Sequence, residues 1–243
     1  MRAAGQTPEW LLPLAVVLCR PPDSPAVKTR LARTVGRVQA QAFYRECLRH
    51  VLTVMRELPV SVRLTVAGRP LALAGLCAEV DIDVELVRQL DVEFAARQAH
   101  EITRGLGDHH PVVLLCASDL PRLRPEAVHW AVDLASEGDV AVVPSQDGGY
   151  SLLATAQPLP ELAAVPMSLG DTGRRLAAAL EDAGRRARVA PFAVRDVDVV
   201  DDAAALLAES AHGSVPGVPS SVVGTLLGYP LGPQPLEPGL ERE

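Results

Sequence analysis

"LAVVLCRPPDSPAVKTRLARTVG", residues 14–36, begins with six residues that carry no charge, turns through three prolines, and then releases Lys28, Arg30 and Arg33 into a helix-like run. An unbroken Leu/Val run of this length reads as a strand covered on both faces, as in a largely parallel sheet flanked by helices. In such sheets ligands sit outside the carboxyl ends of the strands, where loops converge. The bases behind this strand therefore have two uses in prospect. They can open a solvated helix, or they can hold phosphoryl oxygens.

The same pattern recurs along the chain. Residues 62–68, 111–118, 139–145 and 150–156 read as further strands, with another within 187–197. Helical patterns fill the intervals at 36–58, 92–107, 124–138, 171–184 and 201–210, several ending near a glycine, with Pro125 suited to a first turn. Strands alternating with helices predict an α/β sandwich with a mostly parallel, mixed sheet. Residues 1–210 are expected to form one domain. Residues 211–243 are crowded with Pro and Gly and read as a partly disordered tail, with 220–229 able to pack on the body.

Composition narrows the function. Of the 243 residues 48% are hydrophobic and only 3% aromatic, so the core must be aliphatic. A formal net charge of -7 argues against a nucleic-acid binder, which would show a basic face. Cys19, Cys47, Cys77 and Cys116 have no metal-type spacing and suit packing thiols in a reducing compartment. The apolar stretch near the start is broken by Pro13 and too short to span a bilayer. These features predict a soluble cytoplasmic protein without signal peptide, membrane or nucleic-acid partner.

Four polar clusters fall at expected strand ends. Asp119 follows an apolar strand and precedes Leu-Pro, so its carboxylate can leave the sheet edge as a ligand for a hard cation, or cap the next helix. In "DVDVVDD" an extended backbone puts Asp196 and Asp198 on one face and Val197 on the other, while Asp201 and Asp202 suit a helix N-terminus. "DGGY" (Asp147, Gly148, Gly149, Tyr150) offers close backbone approach and a hydroxyl, or a tight hairpin. No Walker A loop, GxGxxG fingerprint, serine elbow or histidine metal pattern is present, and His109-His110 reads as a solvated loop.

The order of these motifs, "KTRLA", "SDLPRL", "DGGY" and "DVD", resembles the rSAM/selenodomain-associated transferase family over about residues 14–210. That family is a GT-A-type group, often labelled glycosyltransferase, within the nucleotide-diphospho-sugar transferase superfamily. "KTRLA" and "DLP" are also similar to guanylyltransferases that activate phosphoenolpyruvate or phospholactate. The resemblance implies a GT-A three-layer sandwich. It implies a metal (Mg2+ or Mn2+) on Asp119 with Asp198, phosphates near Lys28 and Arg30, and a substrate pocket at Asp147, Gly148, Gly149 and Tyr150. Arg97 is the counterpart of a binding residue in a segment that otherwise departs from the family, as does Ser151, where the family has a second tyrosine.

The expected function is a nucleotidyltransferase that moves NMP from an NTP to a small phosphate, phosphonate or carboxylate acceptor and releases pyrophosphate. Lys28, Arg30 and Asp119 would carry the chemistry. A glycosyltransferase using an NDP-sugar is the alternative, and a non-catalytic nucleotide-binding subunit a third.

Overall fold

The protein is described by a computed structural model over residues 8–167, 169–211 and 218–226. In chain order the elements are β1 (Leu14–Cys19), α1 (Thr29–Val35), α2 (Arg37–Arg56), β2 (Ser61–Val66), α3 (Ala74–Val80), β3 (Glu85–Arg88), α4 (Phe94–Gly107), β4 (Val113–Ala117), α5 (Pro125–Ser136), β5 (Val140–Pro144), β6 (Tyr150–Thr155), α6 (Thr172–Asp182), β7 (Ala187–Val189), α7 (Val200–Ala211) and α8 (Ser220–Gly224). The strands form one sheet ordered β3-β2-β1-β4-β6-β5-β7. Every neighbouring pair is parallel except the two that β6 makes, with β4 and β5.

Successive residues of a strand face opposite sides of the sheet, and here both sides are buried. Ala15, Val17, Leu64, Leu114 and Cys116 pack under α2, α3 and α5. Leu14, Val16, Val113 and Leu115 pack under α4 and α6. This two-sided burial is why the strands read as continuous apolar runs. Gly105 lets α4 lie close on the sheet, since a Cβ there would come within 2.6 Å of Val113 and 2.8 Å of Leu14. A third cluster joins α1, α2, α7 and α8 through Leu31, Phe43, Leu206 and the fully buried Val222 and Leu226. All four cysteines are free and buried, and no helix among the described residues is long and apolar enough to cross a membrane.

The three-layer α/β sandwich agrees with the sequence expectation; several local details do not. β3 was not anticipated, because Glu85 and Arg88 expose charge at both ends of a four-residue strand. The helix expected from residue 36 begins one residue later and is preceded by α1, the two being separated by Gly36 at φ 83°. The strand expected within 187–197 is only three residues long, and the chain continues from it without regular structure to α7. The expected disordered tail falls mostly outside the described residues; within it, residues 218–226 lie against the body, with Arg49 donating to Ser221 Oγ at 2.6 Å.

Connections from β1 run outward to β2 and β3, then return to β4 on the other side of β1. The crevice between the ends of β1 and β4 is thus a topological switch point, where open α/β sheets bind ligands.

Candidate active site

The loop leaving β1 brings Lys28 back to this crevice. Lys28 is the residue before α1 and has left-handed backbone angles, φ 44° and ψ 46°. Such angles cost energy for a residue with a Cβ and persist only where the surroundings fix them. Here the side chain is 4% exposed, and Nζ donates to Asp119 Oδ2 and, at 2.7 Å, to Asp198 Oδ1. Burial alone would lower the lysine pKa, but the adjacent charges of Asp119 and Asp198 outweigh it and hold the ammonium above its ordinary range.

Asp119 stands just beyond β4 and caps no helix, since α5 starts only at Pro125. Its loop is fixed from α2. The Tyr44 hydroxyl accepts from the Arg20 backbone N–H and bonds Ser118 Oγ, each at 3.0 Å, tying the ends of β1 and β4 together. His50 holds the Leu123 carbonyl at 2.9 Å. Asp196 and Asp198 arrive from the segment after β7, with Val197 between them fully buried. Asp202 opens α7, as expected for a helix start, and accepts from the backbone N–H of Asp198 at 3.0 Å and of Val199 at 3.1 Å.

Asp119, Asp196 and Asp198 each offer an oxygen within 4.8 Å of the others. Burial first, then the charges of Asp119 and Asp198, push the Asp196 carboxyl up to about 6. Three clustered carboxylates are an oxygen-only donor set suited to a hard divalent cation. The set fits Mg2+ or Mn2+ and lacks the nitrogen or sulfur donors that softer metals prefer.

Two clefts meet at Asp119. The first, of about 380 Å³, is lined by Arg20, Lys28, Arg30, Tyr44, Gln89, Phe94, Arg97, Ser118, Asp119 and Asp198. Gln89 is locked there, its amide N–H groups donating to the Thr65 carbonyl at 2.7 Å and the Cys19 carbonyl at 3.2 Å while Oε1 accepts from Arg97. Arg97 also lies 5.6 Å from the centroid of the Phe94 ring. The second cleft, of about 300 Å³, lies across Phe94 and includes Gln98, Asp119, Asp147, Gly149, Tyr150, Met167, Thr172 and Asp196. Tyr150 donates its hydroxyl hydrogen to Gln98 Oε1.

"DGGY" is the hairpin joining β5 to β6, and Asp147, Gly149 and Tyr150 of it line the second cleft. Asp147 Oδ1 accepts from Gly149 N–H at 3.1 Å and from Ser145. Gly148 has φ 85°, and a Cβ there would meet the Gly170 carbonyl oxygen at 2.0 Å, so only glycine fits. Its own carbonyl accepts from Gly173 N–H at 2.8 Å, seating the start of α6 behind the second cleft.

Of the residues singled out in the sequence, Lys28, Arg30, Arg97, Asp119 and Asp198 share the first cleft, and Asp147, Gly149 and Tyr150 share the second with Asp119. Gly148 lines neither of these clefts and supports the second from behind. Arg33 is exposed and lines neither. Asp196 belongs with Asp119 and Asp198; its alternation with Asp198 was the signal for it. Arg20, Tyr44, Gln89, Phe94 and Gln98 were not singled out. Gln98 alone left a trace, as a polar residue on the apolar side of an amphipathic helix.

No curated protein matches this chain. Among solved structures, a protein provisionally named a nucleotide-diphospho-sugar transferase from Desulfovibrio desulfuricans G20 superposes with a TM-score of 0.78 at 22% identity, covering 88% of this chain and 93% of that one. A nucleotidyl transferase from Methanothermobacter thermautotroptrophicus gives 0.55 at 18% identity over 83% and 99%. A CMP:2-keto-3-deoxy-manno-octonic acid synthetase complexed with CTP gives 0.53 at 15% over 83% and 99%. At these identities the likeness is one of fold, and the fold is that of the nucleotide-diphospho-sugar transferases. Residues 50–169, which carry β2 to β6 and Asp119, match the family described as "Uncharacterized protein conserved in bacteria (DUF2064)".

Proposed function

We propose that the protein is a metal-dependent nucleotidyltransferase that holds an NTP in the first cleft and passes its NMP unit to a small acceptor in the second, releasing pyrophosphate. One observation carries this reading. A buried, charged Lys28 bonds two of three clustered carboxylates at the floor of a cleft that also gathers Arg20, Arg30 and Arg97. An array of four bases beside a hard-cation ligand set suits a polyphosphate. The superposable nucleotidyl transferase and the CTP-bound synthetase support the same reading, as does the motif resemblance.

Asp119, Asp196 and Asp198 would hold the Mg2+ or Mn2+, which when bound adds positive charge at the phosphate oxygens. Lys28 and Arg30 would bind the phosphates and stabilise the charge that gathers as the bond to pyrophosphate breaks. Because Lys28 is already bonded on two sides, little reorganisation is needed at that moment. Tyr44 and Gln89 position the walls, and Asp147, Gly149 and Tyr150 line the acceptor side. Nucleotide substrates and four buried reduced thiols fit a cytoplasmic site of action.

The test is incubation of the protein and Mg2+ with each NTP and a panel of acceptors, with pyrophosphate release as the readout. A glycosyltransferase reading has its own support, the Asp196-x-Asp198 pair and the provisional name of the superposable D. desulfuricans protein. Turnover of UDP- or GDP-sugars with no pyrophosphate from any NTP would replace the first reading with that one. Stabilisation by NTP and Mg2+ without turnover on any acceptor would mean a nucleotide-binding subunit.

A further inference from the structure

We infer that the second cleft selects an uncharged or amino-bearing polyol and turns away phosphates and carboxylates. The inference rests on the nucleotidyltransferase reading only for calling that molecule the acceptor. It replaces the anionic acceptor that the sequence suggested.

The first argument is charge. Asp119, Asp147 and Asp196 line this cleft, and among the described residues no Lys, Arg or His side chain does. Arginines adjacent in sequence to its lining are engaged elsewhere: Arg97 donates to Gln89 and the Val92 carbonyl, and Arg122 and Arg195 both pair with Glu209. Lys28 is committed to Asp119 and Asp198. A divalent cation among the three clustered carboxylates would, with Lys28, balance their charge and leave Asp147 as the surplus. An anion entering here meets net negative charge in a recess partly shielded from water, where such repulsion is poorly screened.

The second argument is an unspent donor. Gln98 is 4% exposed and lines the cleft. Its Oε1 accepts from Tyr150, which fixes the amide, and its Nε2 hydrogens have no partner among the described residues. That nitrogen opens onto the cleft rather than into the core, so a ligand oxygen can take the place of water on it. Around it stand mainly acceptors, the carboxylates of Asp147 and Asp196 and the Tyr150 oxygen, whose hydrogen is already used. A hydroxyl answers both needs, donating to a carboxylate and accepting from Gln98. The C–H faces of a polyol would lie against Phe94 and Met167. A phosphate or carboxylate can only accept, and the cleft's hydroxyls are already engaged, Ser145 with Asp147, Ser151 with the Val194 carbonyl, Thr172 with the Leu169 carbonyl and Ser118 with Tyr44, so it would find few free side-chain donors.

Saturation-transfer NMR on the full chain with Mg2+ tests this, using glucose, glucosamine, glucose 6-phosphate and gluconate as probes. Signal transfer is expected to glucose and glucosamine and not to the two anions. Gln98→Ala should abolish both signals. Gln98→Glu keeps the acceptor for Tyr150 but adds charge, so it should lose glucose and retain glucosamine, a split that misfolding would not produce. Asp147→Asn should admit the anions. Anionic probes that equal the neutral ones in the unaltered protein, sugar signals that survive both Gln98 variants, or silence from all four probes would overturn the inference. A separate thermal-shift titration with NTP and Mg2+ reports on the nucleotide reading and can fail while the probe pattern stands.

Discussion

The first cleft draws Arg20 and Lys28 from the loop after β1, Arg30 from α1 and Arg97 from α4, whereas the second, built around β4 and the β5–β6 hairpin, draws acids and, among the described residues, no base. The two share Asp119, Phe94, Ser118 and Leu18 along one sheet edge. The difference follows from how each half is made. Long parallel crossovers bring the loop after β1 and the starts of α1 and α4 to the edge, and these supply the bases. A tight antiparallel hairpin supplies glycines, whose backbone must lie close to its neighbours. Opposite charge on the two sides of Asp119 suits one cleft to a polyphosphate, as proposed, and the other to a different molecule.

The largest expected effect comes from the residue at their junction. Lys28→Ala should lower turnover by about 10²–10³-fold, the typical loss for one preorganised charge-stabilising donor, measured as pyrophosphate release. The metal-free variant should also melt lower, because Asp119, Asp196 and Asp198 then face one another without a cation, and Mg2+ should restore much of the loss. Unchanged turnover would break the comparison at its centre. Asp119→Ala should abolish metal-dependent stabilisation by NTP in a thermal-shift assay.

Gly148→Ala sharpens the contrast by striking the second cleft alone. The steric conflict with Gly170 and the positive φ should cost at least about 1–3 kcal/mol of stability, read as a lower melting temperature. Acceptor KM should rise while nucleotide affinity holds. Arg30→Ala is the counterpart on the other side. Its guanidinium is exposed, so nucleotide KM should rise only about tenfold, near the worth of one charge-assisted hydrogen bond, and the deficit should shrink at high salt.

The smallest effect is a pH dependence. Asp196 titrates at about 6 in the folded protein, above its ordinary value, because of burial and then Asp119 and Asp198. A raised pKa means that folding favours the protonated form, so its stabilising contribution is complete below about pH 4 and is lost as pH rises through 6. Chemical denaturation of the metal-free protein across that window should show the decline. Asp196→Asn, or added Mg2+, should flatten it.

Much of the fold was legible because two-sided burial writes itself into local sequence. Runs such as Leu14–Cys19 and Val113–Ala117 must be apolar at every position, and helices between them announce an α/β sandwich. β3 escaped because an edge strand with Glu85 and Arg88 at its ends has no such constraint. At the site, Asp119 and the Asp196/Asp198 alternation could be read from strand ends and pleat. Tyr44 could not, since nothing in the pattern of its helix hints at a partner 74 residues away, and the polar Gln98 on the apolar side of α4 marks itself as unusual without pointing to Tyr150, 52 residues on.

The sequence by itself determined the layers, the loops that carry charge, and the glycine turn, since these depend on burial and backbone angles set within a few residues. Only the tertiary structure decided that Lys28 meets Asp119 across 91 positions and Asp198 across 170, and that among the described residues no base reaches the far side of Phe94. Those outcomes hang on strand order, which puts β4 beside β1 and turns β6 antiparallel, and strand order is a property of how distant segments pack together.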